Sequence, residues 1–112
     1  MTDLAQDLAE TFSEMLNHLI PMVAAAELDR TELLALRELM TKLATLFPEY
    51  EAERRAGLAT GTLMDDNGWE QFQELQRTLD AVLNGATEGG WHDLKLRSQA
   101  LVCLKAWGIL TP

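Results

Sequence analysis

Two histidines, one cysteine and eighteen carboxylates are the side chains from which this 112-residue sequence could build a reactive centre. Helical bundles hold metals between carboxylates and histidines that project from facing helices, and such sites show Glu-x-x-His repeats. Here His18 lies one turn after Glu14 and His92 adjoins Asp93, but that repeat does not occur. No metal and no cofactor is therefore expected, and His18 is read as a partly exposed residue at the edge of an apolar stripe. The lone Cys103 excludes an intramolecular disulfide and an all-cysteine metal cage.

Nucleophilic catalysis needs a serine or cysteine beside a base and an orienting group. Ser13 and Ser98 fall in the middle of helical patterns with no elbow-type turn around them, and Cys103 stands between Val102 and Leu104. A reactive thiolate wants an accessible, electropositive setting, so Cys103 reads as a small core residue. Gly57, Gly61, Gly85, Gly89 and Gly90 match neither the dinucleotide-binding nor the Walker spacing. No catalytic residue is assigned, and the chain is not expected to be an enzyme.

Trp69, Trp91 and Trp107 all fall near predicted helix ends, where an indole can cap a core with its N–H toward water. Trp91 follows Gly89 and Gly90 and is the one read as a partner anchor, a role in which tryptophan is over-represented. Met15, Met22, Met40 and Met64 recur at helical positions, where methionine ordinarily fills a core and can also line an adaptable groove.

Charge narrows the partners. A net charge of −9 disfavours direct binding to nucleic acid or to anionic lipid, because both depend on basic side chains. The distribution is uneven: residues 1–29 carry six acids and no base, whereas residues 91–112 carry Lys95, Arg97 and Lys105 against Asp93 alone. That last segment either lies beside an acidic helix or presents a docking face. Asp3, Asp7 and Glu10 occupy the positions where a basic-then-apolar leader would stand, and the longest apolar stretch, 19–26, is too short to span a bilayer. The expected location is the cytoplasm, with no membrane contact.

The elements that would position these residues are helical. Residues 29–47 form the clearest helix: Asp29 and Glu32 have capping-box spacing, and Leu33, Leu36, Met40, Leu43 and Phe47 recur at steps of three and four. Pro48 is expected to end it, with a short helix following as far as Gly57. Before it, Asp3 and Gln6 open an amphipathic helix with Leu4, Leu8, Phe12, Met15, Leu16, Leu19 and Met22 on one stripe, bent or split at Pro21. Residues 58–66 read as a loop. Asn67 and Glu70 are then expected to cap a helix carrying Trp69, Phe72, Leu75, Leu79, Val82 and Leu83 and ending at Gly85. The last helix begins at Trp91 and stops at Gly108; Trp91, Leu94, Leu101 and Leu104 are placed near one face, with Leu96, Ala100, Cys103 and Trp107 beside them. Runs of β-branched residues with period-2 alternation are absent.

The chain thus reads as a single all-α domain, a bundle of three to four long helices plus one or two short ones. The favoured function is a non-enzymatic protein–protein interaction module, such as an adaptor, small chaperone or regulator. It would bind through an apolar helix face with Trp91, Lys95 and Arg97 as contact residues, and a homodimer is compatible with it. One alternative is an acidic inhibitor of a nucleic-acid-binding protein, of the kind phages encode, with Asp7, Glu10 and Glu14 as its ordered carboxylates. Another is a small ligand-binding or enzymatic bundle, for which only Glu14, His18 and Cys103 are at hand.

Overall fold

The computed structural model describes residues 3–25, 27–58, 61, 63–85 and 91–110, apart from the side chains of Asp3, Trp91 and His92. It is all-α. Four helices follow in order: α1 (Asp3–Ala24), α2 (Arg30–Arg55), α3 (Asp66–Leu83) and α4 (Trp91–Ala106). Each packs against two neighbours, α1 against α2 and α4, and α3 against α2 and α4, so the helices form a ring around one core.

The direction of each helix follows from named contacts. Arg97, near the start of α4, donates to the carbonyls of Met22 at 3.3 Å and Val23 at 3.4 Å, and also to that of Ala25, at the end of α1. Trp107, just past α4, meets Phe12 in the first half of α1 with ring centroids 5.3 Å apart. The Arg30 guanidinium at the start of α2 donates to the Leu83 carbonyl at the end of α3, at 3.0 Å, whereas Phe47 stacks on Trp69 near the start of α3. Neighbours are therefore antiparallel throughout, as short connections require.

Pro21 and Pro48 both lie inside helices. α1 runs unbroken through Pro21, and α2 runs through Pro48 to Arg55, so the stop expected at Phe47 is absent and the short helix expected after it is the last part of α2. A proline in a helix interior costs about 3 kcal/mol through its lost hydrogen bond and ring clash. The residues around Pro48 offset that: Phe47 and Tyr50 are both buried, and the Tyr50 hydroxyl donates to the Gly61 carbonyl at 3.0 Å. Helical continuity is what puts those two rings on the core side.

Three caps also differ from their expected form. Asp29 accepts from the Thr31 amide at 3.0 Å, but Glu32 does not reach back to it; its carboxylate lies 2.7 Å from Nδ1 of His18 on α1. α3 is capped by Asp65, which accepts from the Gly68 amide at 2.7 Å, rather than by Asn67. Gln6, expected to close a capping box with Asp3, donates to Glu10 at 2.9 Å. Gly108 ends α4 as expected: at φ +76° it lets the Ile109 amide reach the Leu104 carbonyl at 2.9 Å, leaving the terminal carbonyls satisfied.

One contiguous cluster fills the interior, with Met15, Leu19, Leu36, Met40, Leu43, Phe72, Leu75 and Leu96 among its most deeply buried members. All four methionines singled out in the sequence belong to it. At one end the rings run in series: Phe47 on Trp69 at 4.8 Å, Trp69 on Phe72 at 5.3 Å, Phe72 near Trp107 at 6.4 Å, and Trp107 against Phe12. The Trp107 indole donates to the Gly68 carbonyl at 3.0 Å instead of reaching water. Gly68 makes that approach feasible, since a Cβ there would stand 2.9 Å from the Met64 Cβ and 3.0 Å from the Trp107 ring. No helix among the described residues is long and apolar enough to cross a membrane.

Candidate partner-docking surface

α4 is apolar on two sides. Leu96, Ala100, Cys103 and Leu104 are buried, and with Trp107 they form its inner line. At 100° per residue the opposite side carries Leu94, Ser98, Leu101, Val102 and Lys105, with Lys95 at its margin. Leu94 is 58% exposed and Val102 is 44% exposed, and Ile109 just beyond the helix is 38% exposed. The single face expected for Leu94, Leu101 and Leu104 is split: Leu104 is buried, Leu101 is half-buried and Leu94 is exposed. The inner line is set by Leu96, Ala100, Cys103 and Trp107, whose steps of four, three and four were legible, and a helix has only one side facing a ring of neighbours.

The residues predicted to bind a partner separate into three groups. Lys95 is exposed on the outer side of α4, and Lys105 joins it. Arg97 is half-buried and faces inward, where its guanidinium serves the end of α1. The Trp91 side chain lies outside the described residues. On α1, Asp7, Glu10 and Glu14 are all exposed along one line, and none of them joins an ion pair among the described residues. These carboxylates and the α4 lysines belong to different helices of one side pair, α1 against α4.

The groups considered for chemistry are placed as follows. Cys103 is buried; its thiol donates to the Gln71 carbonyl at 3.1 Å, and burial pushes it up to about 12, against a smaller lowering by the Gln99 side chain. Such a thiol stays protonated at neutral pH and is a poor nucleophile. Gln99 also donates to the Gln71 side chain at 2.9 Å, tying α4 to α3. His18 is half-buried and pairs with Glu32 of α2, not with Glu14. Among the described residues no three His, Cys, Asp or Glu side chains come together as a metal site would need.

Among the described residues, clefts open between helices, and two of them bear on function. One, of about 190 Å³, lies where the end of α1 meets the start of α2, with Met22, Leu33 and Leu36 beneath and Pro21 at its side. The other, of about 180 Å³, lies between α2 and the start of α3, beside Pro48 and Trp69, and carries Arg55 as well as Glu51, Asp65 and Asp66. Neither was anticipated from the sequence, although each interior proline borders one. Comparison of the chain with protein families, with curated proteins and with solved structures gave no match.

Proposed function

We propose that the protein is a non-enzymatic interaction module that docks another protein on the outer side of α4. The observation behind this is Leu94 and Val102, two large apolar side chains exposed on the outer side of a helix whose other side already builds the core, with Ile109 exposed just beyond its end. Scattered apolar residues on a surface are ordinary, but apolar residues sharing one side of a helix are the pattern read by helix-in-groove recognition. Lys95 and Lys105 border that side in a chain of net charge −9, so the favoured partner is an acidic amphipathic segment. A two-fold dimer through the same side is disfavoured, because an antiparallel pairing of two α4 helices sets Lys95 of one copy against Lys105 of the other.

The test is affinity purification from the native host with the wild type and with the double variant Leu94→Asp, Val102→Asp, alongside molar mass by light scattering. Both substituted positions are exposed, so the melting temperature should hold while the partner is lost. A partner retained by the double variant would move docking away from α4. If it were instead released by Asp7→Ser, Glu10→Ser, Glu14→Ser and by high salt, the exposed carboxylates of α1 would be the interface, as an acidic inhibitor requires.

A further inference from the structure

The cleft between α1 and α2 has an apolar bottom and a rim of one sign. Met22, Leu33 and Leu36 are all buried and form its floor, while Glu27, Asp29 and Glu32 stand exposed around its mouth. Among the described residues that line it there is no lysine or arginine. Arg30 donates to the Leu83 carbonyl, and Arg97 donates to the carbonyls of Met22 and Ala25, both in the lining, so one guanidinium stands beside the cleft against the three carboxylates of its rim. Asp29 is engaged with the Thr31 amide, which leaves Glu27 and Glu32 as the carboxylates to meet a ligand, with His18 as the partner Glu32 already has at 2.7 Å.

Size and charge together define what such a site takes. A cavity of about 150 Å³ lined by aliphatic side chains admits benzene, so the cleft of about 190 Å³ holds one ring and a short tether. Apolar surface seats the ring, and an ammonium at the mouth meets the rim of Glu27, Asp29 and Glu32, which outnumber the neighbouring Arg97. An anion of the same shape would face the same carboxylates and the acidity of the whole chain. We infer that the α1–α2 cleft is a binding site for a small organic cation, a single apolar ring carrying a primary ammonium on a short chain. This does not rest on the docking role of α4, which uses a different helix.

The test takes the full chain and three probes of one shape: 2-phenylethylammonium, 2-phenylethanol and phenylacetate, followed by two-dimensional amide NMR. The ammonium should shift resonances of residues 18–36 with a Kd of about 1 mM or tighter, which a well-seated ligand of that size reaches. The alcohol should bind about five-fold more weakly, the scale of one partly screened ion pair, and the anion more weakly again. Glu27→Gln with Glu32→Gln should erase the preference for the ammonium without moving the fold, since both positions are exposed. Leu28→Trp, at the cleft wall, should block all three probes. Equal binding of ammonium and alcohol, shifts centred on other residues, or no shifts at about 10 mM ligand would each overturn the assignment. Should Leu28→Trp fail to fold, the two glutamine substitutions and the probe comparison decide the matter alone.

Discussion

The two ends of the bundle are closed by different physics. At the end where α2 and α4 finish, Phe12, Phe47, Trp69, Phe72 and Trp107 meet ring on ring, and the neighbouring cleft carries charges of both signs. At the end where α1 and α3 finish, two arginines hold helix-terminal carbonyls, and the neighbouring cleft is rimmed by acids. The two clefts are nearly equal in volume, but the one beside the rings is lined by Arg55 as well as Glu51, Asp65 and Asp66. At the other end two arginines bond backbone carbonyls, and the opening beside them has three carboxylates at its rim against His18 and the neighbouring Arg97. A site for a cation is therefore more natural at the arginine end, although the aromatic end has the larger side chains.

Removing a ring should cost the most. Phe72 is fully buried between Trp69 and Trp107, and Phe72→Ala should destabilise the fold by about 3–5 kcal/mol, read as a large fall in the denaturation midpoint. The other end should yield less: Arg97→Met removes charged donors from α1 carbonyls and should cost about 1.5–3 kcal/mol. An Arg97→Met loss equal to that of Phe72→Ala would erase the difference between the ends.

The smallest effect is one of pH. Burial raises the Cys103 thiol from 9.0 to about 12, so between those values the unfolded chain gives up a proton that the folded chain keeps. The stabilising contribution is whole below pH 9 and is lost as pH climbs toward 12, at no more than about 1.4 kcal/mol per pH unit. Chemical denaturation at pH 8 and pH 10 should show that slope in the wild type and a shallower one in Cys103→Ala. At neutral pH the same thiol should resist alkylation until the protein unfolds.

The sequence disclosed the helices and their inner faces well, because burial follows the 3.6-residue period: Leu33, Leu36, Met40, Leu43 and Phe47 all lie where that period puts them. It misled at Pro48, where local chemistry argued for a stop and the burial of Phe47 and Tyr50 overrode it. α4 was ambiguous for a related reason. Leucines on both sides give its pattern no single direction, and only the positions of α1 and α3 decide that Leu96 goes in and Leu94 stays out. The α1–α2 cleft was hidden more deeply, since residues 18–36 line it only once the end of α1 folds back against the start of α2, while the bonds of Arg30 and Arg97 beside it join residues 53 and 72–75 positions apart.

Those long reaches bear on the order in which the molecule is made. α1, α2 and α3 leave the ribosome in sequence and can pair as they emerge, but the ring has no fourth side until Leu96, Ala100, Cys103 and Leu104 arrive. Until then the inner residues of α1 and α3 face water, and the carbonyls that end α1 await an arginine more than seventy residues downstream. The helix proposed to greet a partner is thus also the one that completes the core, and the nascent chain is most exposed to misassociation in the interval before it appears.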